Sequence, residues 1–428
     1  MTSLSASLAP YMRRGPLAVF ALGISSGFPI ALILATLTLW LSELGISKGT
    51  IGLFAAVTTP YSLKFAWAPF VQNVRLPLFA RWVGHRRAWL FLTQGLLFLA
   101  IIALGLSAPA QHISRTALLA VAVGFLSATQ DIVIDAYRIE ILDARDQPAG
   151  ASMITTGYRF GMLFSGAGTL LLAQSFNWPT AYVITAFLVS VGALAAVLIG
   201  EPDLPQVTKG QRGQSFLAWA WTTFLSPVVE FSRSQGLKVA LLILVFLVLL
   251  KLGDAMAAIM TSPLLVDLGF TKPEIASANK LVGAAAGILG AAAAAVTVNV
   301  LGMRSALFAT SVFMMLSNLL FVALAQVGHS IPMLALTIGV ENFSSALGGT
   351  VLVAYLSGLC DLRFTATQYA LLSALTNVAR AVLATPSGFV QEAVGWPVFF
   401  CISTAAALPG LLLLWLLIRS GGVAEVRQ

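Results

Sequence analysis

The 428-residue chain is 58% hydrophobic and only 9% charged, with a mean hydropathy of +0.92. A soluble domain carries roughly 25% charged residues, so this composition excludes an ordinary globular enzyme and indicates a polytopic membrane protein. The formal charge of +8 does not mark a nucleic-acid partner, because the basic residues are scattered through short loops and form no stripe.

Arg13 and Arg14 precede an apolar run from Leu17 to Trp40 that is long enough to cross a bilayer. No small-residue cleavage site ends a short apolar core there, so an uncleaved first span is expected. Further apolar runs follow at 50–71, 88–107, 116–138, 150–173 and 178–200. A second set lies at 237–259, 274–300, 303–326, 331–358, 366–390 and 396–418. Together they predict about twelve spans. The predicted division is an N-terminal six-helix bundle at 1–200, a cytoplasmic connector at 201–236 and a C-terminal six-helix bundle at 237–428. Within the connector, 216–233, with Trp219, Trp221 and Pro227, is too short to span and is expected to lie along the membrane surface. Basic residues such as Arg13, Arg14, Arg75, Arg86, Arg145, Lys209 and Arg233 fall on one side, against Lys48, Arg115 and Lys272 on the other. The positive-inside rule then predicts both termini in the cytoplasm.

The two halves repeat. Glu43-Leu44-Gly45-Ile46-Ser47-Lys48 recurs as Asp267-Leu268-Gly269-Phe270-Thr271-Lys272, each between the first and second spans of its half. Trp178-Pro179-Thr180 recurs as Trp396-Pro397-Val398 at the start of each sixth span. Two landmarks in the same order indicate duplication with both copies in one orientation. The fold class expected is all-α, in two parallel six-helix halves. That arrangement resembles the major facilitator superfamily, whose substrate site lies between the halves near the midplane.

Charges inside apolar runs are the candidate functional residues, because a carboxylate at a bilayer centre costs roughly 2.5–3.5 kcal/mol on insertion scales. Asp131 and Asp135 stand one turn apart on one helix face. Helix direction places Asp131 and Arg159 at similar depth, so Arg159 could pair with Asp131 or with Asp135, with Lys64 in the same layer and Gln130 and Tyr158 beside them. In the second half the candidates are Lys251 and Asp254, Asn279 and Lys280, Glu341 and Asn342, and Arg380. One reading makes these a polar cavity in which acids exchange protons and cations hold an anionic substrate. The other makes the pairs latches between helices. The number of charges in facing spans favours transport, with Asp131 the first candidate for the proton and Asp135, Asp254 and Glu341 as further coupling or gating acids. Gly23 and Gly27, Gly157 and Gly161, and Gly283 and Gly287 read as close helix-packing pairs. Cys360 and Cys401 lack metal or disulfide spacing, and no phosphate loop or nucleophile–base set is present. No metal or cofactor is expected, the coupling ion being a proton, and the chain is not expected to be an enzyme.

Several blocks, in order, resemble the AmpG muropeptide permease family. They are Leu63-Lys64-Phe65-Ala66-Trp67-Ala68-Pro69, Gln130-Asp131-Ile132-Val133-Ile134-Asp135, Gly157-Tyr158-Arg159-Phe160-Gly161, Lys251-Leu252-Gly253-Asp254, Asn279-Lys280, Glu341-Asn342 and Ala366-Thr367-Gln368-Tyr369. The resemblance implies a proton-coupled permease of the bacterial inner membrane. Its cargo would be N-acetylglucosamine linked to 1,6-anhydro-N-acetylmuramic acid, with or without peptide, imported for peptidoglycan recycling and bearing on β-lactam resistance. Lys64, Arg159, Lys280 or Arg380 would meet carboxylates, Gln130, Asn279 and Asn342 sugar hydroxyls, and Tyr158 a sugar face, with Lys251 a further substrate-binding residue. A monomer with a small-molecule sugar-peptide substrate and the lipid bilayer as its surroundings is the expectation. Well-known members of the family carry two more spans, and an acid and a base where this chain has Gln72 and Asn73. The alternatives are a carrier of another amphipathic anion, such as an acyl-CoA-like solute, and an assembly factor that uses the carrier fold.

Overall fold

The apolar runs fold as helices in the computed structural model, which describes residues 9–47, 50–51, 54–76, 80–202, 226–378, 383–384, 386–420 and 423. In chain order the main helices are α1 (Arg14–Glu43), α2 (Thr59–Leu63), α3 (Ala68–Asn73), α4 (His85–Gly105), α5 (Ile113–Ile141), α6 (Gln147–Leu163), α7 (Thr169–Ser175) and α8 (Trp178–Ile199). They continue with α9 (Ser226–Gln235), α10 (Leu237–Asp267), α11 (Pro273–Val327), α12 (Ile331–Leu359), α13 (Thr365–Val378), α14 (Ser387–Val394) and α15 (Trp396–Arg419). No strand occurs among the described residues. Among the described residues, eight helices are long and apolar enough to cross a membrane: α1, α4, α5, α8, α10, α11, α12 and α15. The 55-residue α11 turns at Gly302, whose φ of 77° only glycine adopts readily, so it supplies the two runs expected at 274–300 and 303–326.

One expected span is not a continuous helix. The run at 50–71 is broken into short 3-10 turns at Phe54–Thr58 and Lys64–Ala66 around α2 and α3, where Pro60 and Pro69 have no N–H to give the helix ladder. The fifth run is α6 and α7, continuous through a π turn at Phe164–Gly168 as α1 is through Leu32–Thr36, and of the eleventh run the helices described are α13 and α14. Lys48, Arg380 and most of the connector, including Lys209, Trp219 and Trp221, lie outside the described residues. Of the expected surface segment only α9 is described, and it buries Pro227 and Phe231.

Helices α1 and α6 pack backbone to backbone. A methyl group on Gly27 would overlap the carbonyl of Tyr158, one on Gly157 that of Phe20, and one on Gly161 that of Ile24. Small residues let transmembrane backbones approach in this way. Because backbone atoms cannot step aside, Gly27→Ala and Gly157→Ala are each expected to destabilise the protein by about 1–3 kcal/mol or more. Thermal unfolding of the purified variants in detergent checks this.

The internal repeat has a structural cause. Trp178 Nε1 donates to Glu43 at 2.8 Å, and Trp396 Nε1 donates to Asp267 at 3.0 Å. Gly45 and Gly269 both hold positive φ (73° and 79°), letting the chain leave each helix in the left-handed conformation. The two landmarks therefore touch one another in each half.

Two apolar clusters are built from the first 200 residues, one around Trp89, Ile132 and Val133 and one around Trp40, Ile101 and Tyr182. A third, around Met256, Phe321 and Phe400, belongs to the second half. Packing between the halves concentrates at one end. There Ile139 and Ala151 join Leu352, Tyr355 and Leu372, and Ala366 and Ala370 join the Trp89 cluster.

Candidate functional site

The first half assembles its charges from α1, the turn before α3, and α5. Ser26 Oγ donates to Asp131 Oδ1 at 2.6 Å, and Lys64 Nζ lies 3.3 Å from Asp135 Oδ2. The i, i+4 spacing on α5 sends both carboxylates to one face. Tyr61 and Tyr158 stand within electrostatic reach of Asp131. Gln130, expected to meet sugar hydroxyls, is fully buried and donates its amide to the Ser25 carbonyl at 2.9 Å, so it ties α5 to α1.

A pair of Asp131 with Arg159 does not form. Arg159 is two residues from both Gly157 and Gly161, hence about 200° around the helix from the face packed on α1, where Asp131 finds Ser26. Its guanidinium points instead at the second half and lies against Gly287 of α11, where it occupies the space a Cβ would take. Arg159 Nε is buried and has no hydrogen-bond partner among the described residues. Gly287 was expected to serve helix packing; it makes room for an arginine of the other half.

In the second half, Lys251 Nζ lies 3.3 Å from Asp254 Oδ2, and Ser317 Oγ donates to Glu341 Oε2 at 2.8 Å. Lys251, Asp254 and Glu341, with Ser345 and Thr376, line a cavity of about 110 Å³. Asn342 donates to the Ile338 carbonyl of its own helix at 2.9 Å, and its amide abuts Gly283. Asn279 and Lys280 are exposed on the π turn Ala278–Gly283. Arg380 cannot be placed, being outside the described residues.

Where the halves pack together they are stitched by Gln72, noted in the sequence only as a departure from the family pattern. Gln72 Oε1 accepts from the Ala366 backbone N–H at 2.9 Å and from Arg86 Nη2 at 2.8 Å, and its Nε2 donates to the Arg363 carbonyl at 3.0 Å. The Ala366 N–H is an otherwise orphaned donor in the first turn of α13. Arg86 and Glu140 form a fully buried two-point ion pair beneath it, at 2.7 and 2.8 Å. Nearby, the buried Arg138 guanidinium lies 5.3 Å from the centre of the Tyr369 ring. Gln72→Ala removes both cross-half hydrogen bonds, each worth about 0.5–1.5 kcal/mol. It is expected to raise thiol-reagent labelling of a cysteine introduced at Ala370 by roughly tenfold; unchanged labelling would mean that Gln72 does not hold this end shut.

The profile of the Major Facilitator Superfamily matches residues 19–324. The fold is shared with the proton:xylose symporter XylE (TM-score 0.72, 13% identity, 98% of this chain and 97% of that one). It is also shared with the human organic anion transporter MFSD10 (TM-score 0.70, 17% identity, 94% and 99%). Closer in sequence are the anhydromuropeptide permease of Escherichia coli strain K12 and a Rickettsia felis protein called AmpG 4. The first is 37% identical over 396 residues (92% of this chain, 77% of the relative) and the second 36% over 398 residues (92% and 94%). The chain belongs to the AmpG permease family of the major facilitator superfamily. It is a multi-pass membrane transporter and not an enzyme.

Proposed function

We propose that this transporter is a proton-coupled importer of anhydro-muropeptides, the disaccharide of N-acetylglucosamine and 1,6-anhydro-N-acetylmuramic acid with or without its peptide. It would bring them from periplasm to cytoplasm for peptidoglycan recycling. The observation that carries this is the seam between the halves. An arginine whose buried Nε has no partner among the described residues faces the second half, each half holds carboxylates and a lysine, and the relatives include a permease named for this cargo. A guanidinium suits a carboxylate of the lactyl or peptide group, since its fork donates in pairs. The protein acts as a monomer in the inner membrane, as bundles 1–200 and 237–428, with the Gln72 end and both termini cytoplasmic. The structure then corresponds to a carrier closed on the inside. The cargo is tested by binding of labelled anhydro-disaccharide to the purified protein, with unlabelled disaccharide or acetyl-CoA as competitor. Displacement by acetyl-CoA but not by disaccharide would replace the muropeptide reading with that of an acyl-CoA-like anion.

A further inference from the structure

The two halves hold their acids alike. In each, a lysine lies 3.3 Å from one carboxylate, Lys64 with Asp135 and Lys251 with Asp254. In each, a serine of a neighbouring helix donates to the other acid, Ser26 to Asp131 at 2.6 Å and Ser317 to Glu341 at 2.8 Å. Asp131 is in the fourth apolar run and Glu341 in the tenth, which correspond in a six-span repeat. Neither forms an ion pair among the described residues.

The two kinds of partner differ chemically. An ammonium only donates, so it favours the ionised form of its acid and opposes protonation. A hydroxyl donates to a carboxylate and, once turned, accepts from a carboxylic acid, so it serves both protonation states. Ser317 has somewhere to turn, because the Met314 carbonyl lies 2.8 Å from its Oγ, and Ser344 Oγ reaches it at 2.9 Å. Among the described residues, the charged and titratable groups facing Asp131 are Lys64, Asp135, Tyr61 and Tyr158, and those facing Glu341 are Lys251 and Asp254.

We infer that Asp131 and Glu341 are paired proton-binding sites, one in each half, so that a transport cycle moves two protons, while Asp135 and Asp254 stay ionised on their lysines. The inference rests on the proton-coupled reading above and adds the stoichiometry and the division of labour. Infrared difference spectra of the reconstituted full chain, titrated in pH without substrate, test it directly. Two protonated-carboxyl bands are expected, one lost in Asp131→Asn and the other in Glu341→Gln. Both should persist in Asp135→Asn and Asp254→Asn. Ser26→Ala and Ser317→Ala, which leave the acids in place, should each shift the matching band. A single band, or bands that follow Asp135 or Asp254, overturns the inference. In proteoliposomes the ratio of proton to labelled anhydro-disaccharide flux should be two, falling to one in either acid variant; a wild-type ratio of one overturns it. Wild type that takes up no disaccharide while keeping both bands would remove the cargo and leave the paired sites standing.

Discussion

Arg159→Gln is expected to lower the affinity for anhydro-disaccharide peptides at least roughly thirtyfold, the effect of losing about 2 kcal/mol or more from a buried charged contact. The guanidinium stands between α6 and α11 with a buried donor unused among the described residues. An unsatisfied buried donor costs about 1–3 kcal/mol, and a bound carboxylate relieves that cost. Arg159→Lys keeps the charge but loses the fork, so it should fall between wild type and glutamine. Gly287→Ala offers a second route to the same site, since its methyl group would displace the end of the Arg159 side chain and no backbone atom. Binding should weaken while thermal stability stays close to wild type, unlike the Gly27 and Gly157 variants. Equilibrium binding of labelled disaccharide tripeptide reads all of these; equal affinity in wild type and Arg159→Gln would remove Arg159 from the substrate site.

Asp131→Asn is expected to cost one coupled proton per cycle. A proton moving inward down about 100 mV supplies about 2.3 kcal/mol, which is roughly fifty-fold in steady-state accumulation. The amide keeps the shape and a hydrogen bond to Ser26 but cannot take up a proton, so the loss should appear in accumulation ratio and its dependence on the gradient. An accumulation ratio unchanged at every imposed gradient would exclude Asp131 from coupling.

Much of the fold was legible because hydropathy and duplication write it directly. Most apolar runs long enough to span became helices, and the repeated Glu43/Asp267 and Trp178/Trp396 landmarks proved to be one hydrogen bond made twice. The interruptions around Pro60 and Pro69 were less visible, because hydropathy does not register a missing N–H. At the site, the acids and lysines announced themselves by the penalty of burying charge, and the Lys251–Asp254 pair followed from its i, i+3 spacing. Their partners did not. Ser26, Ser317 and Gln72 are small or neutral polar residues that an apolar helix accommodates freely, and only tertiary packing shows what they hold. The Asp131–Arg159 pairing rested on depth alone. The angle around the helix, readable from the Gly157 and Gly161 spacing, would have turned Arg159 toward the other half.

The most direct measurement is uptake of labelled anhydro-disaccharide tripeptide into proteoliposomes of the full chain, with an imposed acid-outside gradient and without one. Gradient-dependent accumulation in wild type, diminished in Asp131→Asn, is the expected result. Correctly inserted wild type that shows no uptake, or the same uptake with and without the gradient, would contradict proton-driven muropeptide import.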